Sequence, residues 1–154
     1  MENKNFIIEE VTTTNQVLDI IKIHEEIFNQ KKLWLDFWLD FLGFKKTYFL
    51  ILDNIKNIIG YYAIFKKSTS DYIAYFGLKE AYRHKKYGKY VLDYLINNRS
   101  TLRPLTLHVN VNNKSALKLY LNAGFKKENI IKKYYKIIII KFNIIKRKKF
   151  NNSN

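Results

Sequence analysis

The run Arg83-His84-Lys85-Lys86-Tyr87-Gly88-Lys89 places four permanent cations and a histidine directly before a stretch in which Val91, Leu92, Leu95 and Ile96 recur at helical spacing. Backbone amides at a helix N-terminus, with the helix dipole behind them, attract an anion, and Gly88 lets one come close. It is not a nucleotide P-loop, because Tyr90 follows Gly88-Lys89 where a Ser or Thr would hold magnesium and no upstream glycine has the required spacing. The repeated glycines of a dinucleotide fingerprint are missing too. Alone, the loop reads equally well as a solvated basic turn. The second chemically suggestive stretch is Leu107 to Phe125, LHVNVNNKSALKLYLNAGF. Leu105, Leu107, Val109 and Val111 alternate with Thr106, His108 and Asn110, which puts an imidazole on the polar face of a strand. Asn112 or Asn113 then caps a helix with Ala116, Leu119, Tyr120 and Ala123 on one face, and Gly124 ends it.

The remaining elements must position these two stretches. Phe6 to Val11 reads as a first strand, and Thr13, Thr14 or Asn15 caps a helix to about Gln30, with Val17, Ile20, Ile21, His24 and Ile27 inward. His24 reads as packing. A second helix, Leu33 to Leu42, repeats Trp34, Phe37, Trp38 and Phe41, which suits either a core or the wall of a substrate pocket. Thr47 to Leu52, Ile58 to Phe65 and Tyr72 to Leu78 read as an antiparallel meander, and Gly77 inside the third suggests a bulge or a close approach. After the strand that holds His108 and its helix, Lys126 to Ile131 and Tyr134 to Phe142 read as a closing antiparallel pair.

Strand, Arg83-x-x-x-x-Gly88, helix, then strand, Asn113-x-x-Ala116-x-x-Leu119-Tyr120-x-x-x-Gly124-Phe125, resembles the GNAT superfamily of acetyl-coenzyme A dependent N-acetyltransferases over nearly the whole chain. The departure is Lys86, where the family pattern has its first glycine. The resemblance implies an α/β (α+β) fold: a mixed, mostly antiparallel sheet of about six to seven strands flanked by helices and splayed between the fourth and fifth. It implies that the cofactor's pantetheine arm lies in that gap against backbone groups near Phe76 and Leu78, with its pyrophosphate held by the loop from Arg83 through His84, Lys85, Lys86, Tyr87 and Gly88 to Lys89. Asn113 matches the family's asparagine near the cofactor, and equally the helix cap; Tyr120 matches the tyrosine proposed to protonate the leaving thiolate.

An amine must lose a proton before it attacks a thioester. The glutamates that histone-type and bacterial ribosomal-protein acetyltransferases use fall at Tyr72 and His108 here. The pair is closer to eukaryotic-type protein N-terminal acetyltransferases, in which a Tyr and a His occupy these places and act through ordered water. A histidine near pKa 6.5 suits an α-amine near 8 better than a lysine near 10.4. The bland reading of His108 is a satisfied strand residue. The pair Tyr134-Tyr135 resembles the hairpin tyrosines with which such enzymes grip a peptide backbone, and Trp34 is the candidate pocket wall.

With 154 residues the chain is one domain's worth, expected over 1–145 with a disordered basic tail at 146–154. No cysteine is present, and His24, His84 and His108 have no ligand spacing, so neither disulfide nor metal is expected. The acidic, polar start MENKNFIIEE is unlike a secretory signal and no long apolar run exists, which points to the cytoplasm and away from the membrane. The 28 Lys and Arg against 13 acids give +15, which attracts polyanions, but the Lys, Asn, Ile and Tyr bias dilutes that signal. The leading expectation is acetyl transfer to a primary amine, most simply a protein N-terminus. The alternatives are a small amine or an internal lysine, and a non-catalytic basic adaptor that binds nucleic acid or the ribosome.

Overall fold

A computed structural model describes residues 5–29, 34–43, 45–99, 102–132 and 138–145. The order is β1 (Ile7–Glu10), α1 (Thr14–Phe28), α2 (Trp34–Leu42), β2 (Thr47–Leu52), β3 (Ile58–Lys66), β4 (Asp71–Leu78), a short 3-10 turn (Glu80–Tyr82), α3 (Tyr87–Asn98), β5 (Leu105–Asn110), α4 (Lys114–Asn122), β6 (Lys126–Lys132) and β7 (Ile138–Ile144). Local chemistry explains the helix starts. Thr13 opens α1 through a capping box, its hydroxyl accepting from Gln16 N at 3.3 Å while Gln16 Oε1 accepts from Thr13 N at 3.1 Å. Asn29, left-handed at φ 49°, closes α1 just short of the expected end. Asn113 caps α4 by accepting from Ala116 N at 3.1 Å.

The strands form one seven-stranded sheet in the order β1-β2-β3-β4-β5-β7-β6. Every neighbouring pair is antiparallel except β4 and β5. The meander β2-β3-β4 and the closing pair β6-β7 are as the sequence reading has them, but β7 enters the sheet between β5 and β6. Helices cover both faces. Val91, Leu92, Leu95 and Ile96 of α3 and Tyr120 of α4 pack with Leu105, Leu107 and Val109 of β5 on one side. Val17, Ile20 and Ile23 of α1 and Phe37 of α2 pack on Leu50, Tyr61 and Ala63 on the other. Each such fully buried aliphatic side chain contributes about 1.5–3 kcal/mol relative to exposure, so the two layers hold the sheet rigid.

Two irregularities in β4 position the site. β4 pairs with β5 only at Asp71–Leu105 and Tyr72–Thr106, after which the strands diverge and a gap opens toward Leu78. The bulge that the sequence reading places at Gly77 lies instead at Ala74, since Ala63 of β3 faces Tyr75 and Ile64 faces Ile73. The extra residue sends Ile73, Phe76 and Leu78 to the α3 and α4 side and both Ala74 and Tyr75 to the α1 side. Gly77 serves the other purpose anticipated for it. A Cβ there would meet Ile27 Cγ2 at 2.6 Å, so only glycine lets the end of α1 lie on the strand.

Candidate active site

On the donor side, the loop before α3 is shaped by backbone rather than by side chains. His84 and Lys86 both adopt left-handed conformations, at φ 57° and 66°, and Lys86 N-caps α3 without any side-chain cap bond. Lys86 thus takes the conformation for which a glycine is the unstrained choice. Gly88 faces α4: a Cβ there would lie 3.4 Å from Leu119 and 3.8 Å from Leu78, so any side chain would fill the space between α3, α4 and the end of β4. Lys79 N donates to Ile59 O at 2.8 Å, and along a strand the backbone groups alternate in direction. The main chain of Leu78 and Phe76 therefore points away from β3, into the gap. Arg83, exposed like its neighbours, spends its side chain on main chain, Nε donating to Leu78 O at 2.8 Å and Nη2 to Ile27 O at 3.1 Å. It braces the loop against β4 and α1. Lys89 is engaged by Asp93 at 2.7 Å, while His84, Lys85 and Lys86 are exposed and Tyr87 is half-buried, edge-on to Tyr82. An uncapped helix start, a glycine-lined approach and a strand with backbone groups turned into an open gap suit the pyrophosphate and pantetheine arm of coenzyme A.

On the acceptor side, Tyr72 and His108 meet where the β4–β5 ladder ends. The Tyr72 hydroxyl and His108 Nδ1 share a hydrogen bond of 3.2 Å, with ring centroids 5.3 Å apart. Burial, with Tyr75 adding to it, pushes the Tyr72 phenol up, so it stays protonated at neutral pH. Two cations that sequence reasoning passed over flank the pair. Lys67 Nζ lies 4.0 Å over the Tyr72 ring, and Lys141 stands directly opposite His108 in the β5–β7 register, its ammonium 3.0 Å from Glu128. Neither carries a sequence signal: Lys67 folds back over Tyr72 across the β3–β4 turn, and Lys141 meets His108 only through strand pairing.

Tyr120 of α4 belongs to the core on the α3 and α4 face of the sheet, 7% exposed and packed edge-on against Phe76 at 6.4 Å and Phe125 at 5.7 Å. Burial, and after it the charge of Tyr72, raises its phenol well above the ordinary value, so it remains a proton donor throughout the neutral range.

The other expected residues are spread more widely. Asn113 is exposed and spends its side chain on the α4 cap. Trp34 opens α2, but its side chain lies outside the described residues, as do Tyr134 and Tyr135. Phe37 of α2 is core, while Leu35, Leu39 and Leu42 face outward. His24 is buried, 2.5 Å from the Tyr61 hydroxyl, as its packing reading requires. A cavity of about 460 Å³ opens between α3 and β1–β3, lined by Phe49, Tyr62, Tyr94, Asp71 and Arg99 among others, and none of the expected site residues lines it. Among the described residues no cluster of His, Asp or Glu is arranged to hold a metal, and no helix is long and apolar enough to cross a membrane.

A sheet splayed at a parallel pair, with an uncapped helix start on one side and a Tyr–His pair on the other, is an arrangement suited to a coenzyme A dependent acyltransferase. A model of the acetyltransferase (GNAT) family matches residues 14–125, and the chain belongs to that family, which uses acetyl-coenzyme A to acetylate amines. A search of curated proteins gave no match. Solved structures share the fold. The Escherichia coli ribosomal-protein-S18-alanine N-acetyltransferase superposes with TM-score 0.78 at 18% identity over 97% of this chain and 99% of that one. Arabidopsis thaliana NAA60, bound to a bisubstrate analogue, gives 0.75 at 16% over 92% and 98%. The Vibrio cholerae spermidine N-acetyltransferase with coenzyme A and spermine gives 0.74 at 16% over 94% and 97%.

Proposed function

We propose that this N-acetyltransferase acts on a protein N-terminal α-amine. The observation that carries the reading is the Tyr72–His108 pair where the two strands part, at the closed end of the gap, flanked by Lys67 and Lys141. A polyamine would bring two or more positive charges against Lys67, and against Lys141 with Glu128 offsetting only the latter, whereas a peptide brings one α-amine, which titrates at about pH 8, and a chain that can be neutral or acidic. The neighbours include enzymes named for a protein alanine and for spermidine, and at 16–18% identity they support the fold without choosing between acceptors.

Bound acetyl-coenzyme A supplies the thioester whose acetyl group moves. His108, oriented by Tyr72, takes the proton that the acceptor ammonium must lose, directly or through water. The backbone of Phe76 and Leu78 orients the acetyl carbonyl in the gap. Tyr120 donates its phenolic proton to the departing sulfur. The attacking nitrogen sheds its second proton to solvent as the amide forms, and the cycle closes when Tyr120 recovers a proton from solvent and His108 releases the one it took.

Free-thiol release with acetyl-coenzyme A tests the acceptor, using a peptide beginning Met-Glu with a free α-amine, the same peptide with its α-amine blocked and a lysine added, and spermidine. The first is expected to turn over fastest. Faster turnover of spermidine or of the blocked peptide overturns the reading. Failure of acetyl-coenzyme A to raise the melting temperature would favour the basic adaptor.

A further inference from the structure

The end of β4 where the gap closes is held by an ionic cluster that the chemistry above leaves unused. Asp71 and Arg99 form an ion pair at 3.4 Å, with side chains only 3% and 8% exposed. Arg103 Nη1 approaches the same carboxylate at 3.8 Å. The main chain converges there too: Asp71 N donates to Pro104 O at 2.9 Å, Thr106 Oγ1 to Asp71 O at 3.3 Å and Arg99 Nη1 to Arg103 O at 3.0 Å. Arg103 Nη2 donates to Ser70 O at 3.1 Å and also to Lys67 O. One carboxylate thus ties together the β3–β4 turn, the end of α3 and the lead into β5.

This cluster lies one residue from the Tyr–His pair. Side chains of consecutive strand residues leave on opposite faces, so Asp71 turns to Arg99 beneath α3 while Tyr72 turns to His108 on the acceptor face. His108 sits two residues beyond Thr106, where the β4–β5 ladder has ended and no backbone bond sets the spacing between the strands. The Tyr72–His108 distance is therefore set by the last rungs of the ladder, which the cluster clamps. An apolar contact there would allow sliding; an ion pair with directed hydrogen bonds fixes the strands in register.

We infer that the buried Asp71–Arg99 pair is a positioning device for catalysis: it fixes the closed end of the gap and, through the Asp71–Tyr72 main chain, holds Tyr72 against His108. The inference rests on the reading of that pair as the base. Arg99→Met, Arg99→Lys and Tyr72→Phe, alone and in combination, form the test. In folded Arg99→Met, kcat for the acceptor that turns over in the screen above falls about ten- to hundred-fold, with KM and stabilisation by acetyl-coenzyme A retained. Arg99→Lys recovers part of the loss. In the Tyr72→Phe background the same substitution has no further effect on kcat, because the residue it acts through is gone. Independently of activity, the His108 imidazole titration, followed by NMR on the free protein, moves in Arg99→Met as it does in Tyr72→Phe. An undisturbed titration, or a loss of kcat that persists in full in the Tyr72→Phe background, overturns the inference. If Arg99→Met does not fold, Arg99→Lys is judged by the same two criteria. Wild-type kcat in both Tyr72→Phe and His108→Ala would instead sink the base reading itself, and loss of activity in those two with none in the Arg99 variants would sink the positioning role alone.

Discussion

The two sides of the gap are built on different principles. The donor side is made of main chain: an α3 start without a side-chain cap, two left-handed loop residues, and β4 groups turned into the opening. The acceptor side is made of side chains, with Tyr72, His108, Lys67 and Lys141 drawn from three strands and a turn. A backbone site tolerates substitution wherever φ and ψ can be kept, which is why a lysine can stand at position 86 in a glycine's conformation. A side-chain site has no such latitude, and on the proposed reading a handful of residues there choose the acceptor.

The sharpest way to break this division is His108→Ala. It should lower kcat by about 10²–10⁴-fold while leaving stabilisation by acetyl-coenzyme A intact, about 2.7 kcal/mol at a hundred times its dissociation constant, as read by thermal shift. Loss of both together would mean that the sides are not separable. A smaller effect, common to both sides, comes from pH. Burial raises the phenols of Tyr48 and Tyr61 on the α1 side and of Tyr62 and Tyr120 on the α3 side above the ordinary 10.0. The folded protein therefore holds protons that the unfolded chain gives up above pH 10. Their stabilising contribution is whole below that value and is lost as pH rises beyond it, so melting temperature followed by circular dichroism should hold level to about pH 9 and fall steeply above 10. A level profile through pH 11 would contradict the buried placement of these rings. The smallest effect tests the donor side alone. Lys86→Gly should relieve about 1 kcal/mol of left-handed strain and raise the melting temperature by about 2–4 °C, with little change in acetyl-coenzyme A affinity. A tenfold loss of affinity would show that the ammonium, and not the backbone, holds the cofactor.

Much of this was legible in the chain because its signals are local. The Thr13–Gln16 capping box, the Asn113 cap and the alternation that buries Leu105, Leu107 and Val109 while leaving His108 on the other face all lie within a few residues of one another. The misses are non-local. Gly77 drew attention as a bulge, but Ala74 carries it, because the bulge depends on how β4 registers with β3. The guanidinium of Arg83 bonds the carbonyls of Leu78 and Ile27, the latter 56 positions away along the chain, a brace that no local pattern signals. Asp71 falls just outside the strand expected from Tyr72 to Leu78, and nothing near it announces Arg99.

By itself the sequence determined the order of helices and strands, the two motifs that carry the family resemblance and the face on which His108 lies, since periodicity and capping act over one or two turns of chain. Only the tertiary structure decided that β7 enters beside β5 and sets Lys141 opposite His108, that Tyr72 touches that imidazole, and that a buried ion pair clamps the strands just before they part. Those contacts join residues 28 to 36 positions apart, and packing of the two helical layers against one sheet, rather than any local preference, brings them within hydrogen-bonding reach.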